Sequence, residues 1–395
     1  MRIYADNAAT TKMSKTATRA MMPYIEECYY NPSSLYSGGQ EAKDAIENAR
    51  EIIARCIGAL PREITFTSGG SEADNQAIIS AAMLGKKSGK MHIVSDVIEH
   101  HAVLNTLKKL EKNGFDVTYI PVQQNGIIDT KTLESAIRDD TCLVTIMYAN
   151  NEIGTIQPIR EISDICKKRG IIFHTDAVQA IGRMPIDVNK DSIDMLSASA
   201  HKFHGPKGIG FLYAKKGIRL TSIIEGGAQE RGMRAGTENV AGIVAMAAAL
   251  KEEISLMKTN AKKLIPLRDR IIAGLSEIPH SVLNGDKEKR LPSNINFCFE
   301  GIEGESLLLL LDDKGIMASS GSACTSGSLD PSHVLLSIGR PHDVAHGSLR
   351  LSISEDITDE QVDYIIKTVK EVVDYLRSFS PVWRDLCSGK QKFIL

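Results

Sequence analysis

Between residues 63 and 213 of the chain, short apolar runs alternate with segments whose apolar positions recur three and four apart. The short runs, at residues 63–67, 92–95, 117–122, 142–148 and 171–174, predict strands. Between them, residues 72–84, 101–113 and 159–169 carry the helical period, and residues 38–57 carry it upstream. Two further apolar runs, 193–196 and 209–213, enclose a polar, glycine-rich stretch. Strand–helix alternation of this kind predicts an α/β fold. Its sheet is mostly parallel, helices cover both faces, and ligands bind at the carboxyl ends of the strands.

Past Asn239 the pattern changes. One long helical region reaches residue 276, with an interruption expected near Pro266. Apolar stretches follow at 294–299, 305–311 and 348–352, and a helix at 359–376, which together read as an α+β unit. The expected division is a large domain over residues 15–260 and a small one built from 1–14 and 261–395.

Composition narrows the function classes. Among 395 residues, 47 basic side chains balance 49 acidic ones, for a net charge of −2. That excludes a basic footprint for nucleic acid or an anionic membrane. The longest apolar runs fall far short of a membrane span, and Asp6 sits where a secretory leader needs apolar residues, so a cytoplasmic protein is expected. The seven cysteines never form a CxxC pair, which argues against a disulfide framework and a zinc site; no metal is expected.

Four stretches carry residues suited to chemistry. Lys202 lies in Ser197-Ala-Ser-Ala-His-Lys-Phe-His-Gly-Pro-Lys-Gly-Ile-Gly210, after a strand, where an amine aimed into a cleft can condense with a carbonyl. Thr67-Ser-Gly-Gly-Ser-Glu-Ala-Asp74 leads from a strand into a helix, which suits a phosphate at the helix N-terminus and equally an ordinary N-cap. Asp176, in His174-Thr-Asp-Ala-Val-Gln179, can hold a pyridinium nitrogen or cap the next helix. His100, in Glu99-His-His-Ala-Val103, can stack on a planar ring and relay protons, or be structural. A fifth stretch, Ser319-Ser-Gly-Ser-Ala-Cys-Thr-Ser-Gly-Ser328, is made of small residues only. It reads as a mobile loop able to carry the Cys324 thiol.

In this order the set resembles the cysteine desulfurases of the NifS/IscS type, which are fold-type I pyridoxal 5'-phosphate (PLP) enzymes. The likeness extends from about residue 3 to 385. It includes Asp6-Asn-Ala-Ala-Thr-Thr11, Asn150-Asn-Glu-Ile-Gly154, Ser199-Ala-His-Lys202 and Glu230-Arg-Gly-Met-Arg-Ala-Gly-Thr-Glu-Asn239. The resemblance implies a seven-stranded-type sheet and a role for each matching residue. Lys202 is the Schiff-base lysine and proton carrier, Asp176 the partner of the pyridinium, and His100 the stacking ring. Gln179 and Asn151 serve the phenolic oxygen side. Gly70, Ser71, Ser199 and His201 hold the phosphate, joined by Thr237 from a second subunit of a homodimer. Arg350 grips the carboxylate of the L-cysteine substrate, with Asn31 and Asn151 beside it. Cys324 takes the sulfur as a persulfide, leaving alanine, and delivers it to an iron–sulfur scaffold protein of the IscU/NifU kind. Gly70-Ser71 departs from the Ala-Thr of many relatives, and His101 replaces a frequent lysine. The tail 380–386 resembles a region that docks the scaffold, although Trp383 can equally pack on the domain; Cys387 matches no role. A selenocysteine lyase and a non-catalytic assembly subunit of the same fold remain as alternatives.

Overall fold

The computed structural model describes residues 1–320 and 331–395. Seven strands form the central sheet: β2 (Ile64–Thr67), β3 (His92–Asp96), β4 (Asp116–Ile120), β5 (Thr141–Thr145), β6 (Ile172–Asp176), β7 (Met195–Ser199) and β8 (Gly210–Ala214), following a short β1 (Ile3–Tyr4). Their order is β2-β8-β7-β6-β5-β3-β4, and only β8 runs against its neighbours. The strands lie under helices on both sides, so successive residues face different cores. Leu143, Met195 and Leu212 meet the Gly70–Lys87 and His101–Glu111 helices. Val144, Leu196 and Phe211 meet the Ser37–Ile57 and Ile159–Arg169 helices. Burial on both faces is why these strands read as unbroken apolar runs.

The register sets the site. Ser199 pairs with Gly210, Gly210 with Thr67, and Asp176 with Ser197. The ends of β2, β6 and β7 and the start of β8 therefore share one edge. A Cβ on Gly210 would lie 2.4 Å from the Ala198 carbonyl oxygen and 2.8 Å from the Gly69 Cα, so only glycine lets β8 enter here.

A second core contains Ile3 and Ala5 and then residues from Leu264 to Val373. It surrounds the antiparallel strands β9 (Ser281–Leu283), β10 (Asn294–Phe299) and β12 (Ser348–Ser352), while β11 (Ile316–Met317) pairs with β1. The amino terminus thus returns to the small unit, as the sequence suggests. The expected interruption at Pro266 is absent: one helix, Val240–Ser276, runs through it. Its first half is buried in the large core and its second, from Leu264 to Leu275, in the small one. Packing along both halves offsets the one hydrogen bond that proline removes. No helix among the described residues is long and apolar enough to cross a membrane. The tail forms a helix, Pro381–Cys387. Trp383 packs on the domain under the Arg377 guanidinium, 3.9 Å from its ring, and beside His280.

Candidate active site

A cavity of about 520 Å³ opens at the carboxyl edge of the sheet and is closed on its other side by Arg350, Ser332 and His333. It gathers Gly70, Ser71, His100, Asn151, Asp176, Gln179, Ser199, His201, Lys202 and Arg350. Asn31, expected nearby, is elsewhere: it is exposed in an Asx turn, its Oδ1 accepting from the Ser33 amide, and does not line the cavity. Thr237, expected to serve the site of a second subunit, is exposed on the loop before the long helix. Cys324 lies outside the described residues.

One end of the cavity is built for an anion. The Gly70–Lys87 helix starts there, and its first backbone N–H groups have no carbonyl a turn earlier to meet. Gly69 takes φ +155°, and a Cβ on Gly70 would lie 2.7 Å from Val178 Cγ2, so the turn closes against the Val178 and Ser199 side. His201 Nδ1 lies 3.1 Å from Thr10 Oγ1, and burial beside Lys202 pushes its pKa down to about 4, so it serves as a neutral hydrogen-bonding group.

At the floor, β6 ends on Asp176, whose Oδ1 accepts from the Val178 amide at 2.9 Å. Burial raises its pKa, while the nearby His100 and Lys202 pull it back. Asp74, buried close by, is pushed well up by burial and by the Asp176 charge. Behind them His174 spans Thr145 Oγ1 and Ser197 Oγ, both at 2.9 Å, and burial pushes it down to about 3. The neutral imidazole props β5, β6 and β7 apart without adding charge.

His100 caps its helix by accepting from the Ala102 amide at 3.1 Å, and burial lowers its pKa. Its electrostatic neighbours are Asp176, Lys202 and His101, whereas the His101 ring lies tilted at 42° against His333 with centroids 4.9 Å apart. Of the two adjacent histidines, His100 is the one coupled to the floor. Lys202 follows β7 in a short 3-10 turn, and its Nζ donates to the carbonyls of Ala8 and Ala9 at 2.6 and 2.7 Å. Gln179 Nε2 also donates to Ala8, at 3.0 Å. Arg350 reaches in from β12. It is 2% exposed, donates to Asp6 Oδ1 at 2.8 Å and to the Asn151 carbonyl at 3.2 Å, and its buried Nε meets no acceptor among the described residues. A buried arginine in the cavity wall suits a second carboxylate.

Sequence reasoning missed a buried acidic set behind His100. Glu99 accepts from the Met147 amide, Asp96 Oδ1 accepts from Ile98 at 2.7 Å, and the two buried carboxyls lie against each other, close enough for one to donate a proton to the other. Burial, reinforced by Asp96, pushes Glu99 well up; burial lifts Asp96 to about 7. Glu152, bonded to Ser332, is also lifted by burial to about 7. Only the position of Glu99 beside His100 hinted at this, since carboxylates in sequence normally mark surface.

The sequence profile of the family described as Aminotransferase class-V matches residues 3–365. The chain is 51% identical over 393 residues to "Cysteine desulfurase IscS" of Clostridium botulinum (strain Hall), covering 99% of both. It is 53% identical over 380 residues to the protein of the same name from Methanosarcina thermophila, covering 96% of this chain and 94% of that one. It belongs to the cysteine desulfurases. Among solved structures, one described as a "NIFS-LIKE PROTEIN" superposes with TM-score 0.89 at 39% identity, covering 95% of this chain and 100% of the other. Another, "SspA in complex with cysteine", gives TM-score 0.79 at 36% identity over 89% of this chain and 99% of its own.

For a cysteine desulfurase the cofactor of the class is pyridoxal phosphate, and the cavity fits it. The volume is that of a cofactor site. A helix N-terminus with Ser71 and Ser199 would hold the phosphate, the buried strand-end carboxylate of Asp176 would hold the ring nitrogen, and the Lys202 amine stands just past the neighbouring strand end.

Proposed function

We propose that this chain is a PLP-dependent cysteine desulfurase that converts L-cysteine to L-alanine and holds the removed sulfur as a persulfide on Cys324. The observation that carries the reading is the convergence of Asp176, His100, Lys202 and the Gly70–Lys87 helix start with Arg350 from the small unit in one cavity. When bound, pyridoxal phosphate supplies an electron sink conjugated to the substrate α-carbon. Asp176 holds the ring nitrogen's proton and the Gly70/Ser71 amides, with Ser199 and His201, hold the phosphate. Arg350, in the cavity wall, offers its Nη donors to the substrate carboxylate. Lys202 removes the α-proton and returns one. His100, kept neutral by burial and with Nδ1 accepting from Ala102, carries its proton on Nε2, delivers it to the carbon that loses sulfur, and is re-protonated from the Cys324 thiol. The Cys324 thiolate attacks the substrate sulfur; a sulfur–sulfur bond forms, the carbon–sulfur bond breaks, and the electron pair stays on carbon until it is protonated to alanine.

The working unit is a cytoplasmic homodimer. Leu35, Tyr29 and Tyr36 are 103%, 72% and 57% exposed in the single chain, an apolar surface suited to a second copy, and Thr237 completes the partner's phosphate site. Separate cores support a large domain over 15–260 and a small one over 1–14 and 261–395. An iron–sulfur scaffold is the sulfur acceptor. A single-turnover reaction with L-cysteine and no reductant tests the reading. One alanine and one persulfide per site are expected from the wild type, and neither from Cys324→Ala. Alanine at the wild-type rate from the variant would refute transfer to Cys324.

A further inference from the structure

Two residues past Lys202, the chain places a second cluster of chemical groups that the desulfurase reaction does not use. His204 comes from the turn after the 3-10 segment, Glu253 from the middle of the Val240–Ser276 helix, and Glu355 from the small unit just past β12. One atom from each lies within 4.8 Å of the others. His204 and Glu253 are 7% and 6% exposed.

The imidazole is oriented. The Thr11 hydroxyl accepts from the His204 amide at 2.8 Å, and His204 Nδ1 lies 2.8 Å from the Lys12 carbonyl oxygen. A carbonyl only accepts, so Nδ1 carries a proton and Nε2 is the ring nitrogen turned to the two carboxylates. A backbone carbonyl fixing the tautomer this way is the usual support of a metal-ligating histidine. Nε2 is buried with no hydrogen-bond partner, although Glu355 Oε1 stands only 3.1 Å away. The carboxylate is close but out of line. Two ligands of one metal ion, each at about 2.0–2.2 Å and 90–109° apart, sit about 2.8–3.6 Å from each other in this way. The charge also asks for a cation. A cavity of about 550 Å³ adjoins the cluster, lined by four carboxylates (Glu252, Glu253, Glu355, Asp356) against Lys12 and Lys15.

We propose that His204, Glu253 and Glu355 form a binding site for a divalent transition-metal cation, separate from the pyridoxal phosphate site. One nitrogen and two carboxylate donors suit zinc or manganese over magnesium. Glu355 belongs to the small unit and His204 to the loop that carries Lys202. The bound ion therefore ties the two halves together beside the active site.

The test uses untagged, PLP-loaded protein, so that the Asp74–His100–Asp176 cluster is filled, dialysed against EDTA. Mn²⁺, a poor thiol ligand, is titrated by calorimetry and by electron paramagnetic resonance. One ion per chain is expected for wild type. Glu253→Gln and Glu355→Gln keep side-chain shape and should weaken binding at least about 30-fold, as expected for losing one of three ligands. Glu252→Gln, a neighbour outside the ligand set, should bind like wild type. Glu355 is the most exposed of the three, at 27% for its side chain, so its variant is the one least exposed to misfolding. No Mn²⁺ bound by wild type, unchanged binding by Glu355→Gln, or an equal loss in Glu252→Gln would each overturn the site. The cluster would then be only an ion pair between the two units.

Discussion

Replacing Glu230 with glutamine tests how the loop carrying Thr237 is held to the sheet. Glu230 accepts from Arg50 Nη1 and Nη2 at 2.8 and 2.7 Å and from the Phe66 amide of β2 at 2.9 Å. The two side chains are 4% and 3% exposed, and the Arg50 guanidinium lies 4.5 Å from the centroid of the Phe66 ring. Glutamine keeps the shape but removes the charge, and turns an N–H₂ group toward donors. Arg50 is then left with Glu47, whose side chain is 54% exposed and therefore screened. Breaking one side of a buried pair costs about 3–5 kcal/mol. For a unit the size of the large domain, residues 15–260, each kcal/mol moves the melting midpoint by roughly 2–4 °C. Differential scanning fluorimetry should therefore show a fall of about 6–20 °C. Adding Arg50→Met removes the stranded charge while the glutamine carbonyl still serves the Phe66 amide, so the double variant should regain most of the loss. A single variant within about 2 °C of wild type, the range of a screened surface pair, would refute the argument. So would a double variant no better than the single one.

Three further outcomes follow from the site. His174, pushed down to about 3 from an ordinary value near 6.5, binds its proton more readily unfolded. It therefore stabilises the fold fully above about 6.5 and progressively less as pH falls toward 3. The stability gap between wild type and His174→Asn should shrink by about 1.4 kcal/mol per pH unit across that window in denaturant titrations; parallel profiles would contradict it. Gly210→Ala forces a methyl against backbone on two sides, and should cost about 1–3 kcal/mol and weaken PLP retention, read from the cofactor absorbance after dialysis. His100→Gln should keep the cofactor but lower the alanine-forming rate by about 10²–10⁴. A rate within about threefold of wild type would remove the imidazole from proton transfer, given that general acid–base catalysis normally supplies far more.

Much of the fold was legible because a sheet covered on both faces writes continuous apolar runs into its strands. The helix 159–169 matches the observed Ile159–Arg169 element, and the other segments differ only at their ends. Pro266 misled because local propensity speaks only for the backbone, while two separate cores hold the Val240–Ser276 helix straight through it. At the site, Lys202, Asp176 and the glycine turn could be read because each sits at a strand end, where chain order predicts position.

The sequence by itself determined the α/β alternation, the order of the functional stretches and the family they belong to, since these depend on local pattern and residue type. Only the tertiary structure decided which of two adjacent histidines lies beside Asp176 and that Arg350, paired with Asp6 of its own small unit, turns into the cavity of the large one. It also decided that Asp96, Glu99 and Glu152 are buried, with Asp96 and Glu152 lifted to about 7 and Glu99 pushed well up. Those outcomes depend on desolvation and on contacts between residues hundreds of positions apart, neither of which leaves a trace in the chain's local pattern.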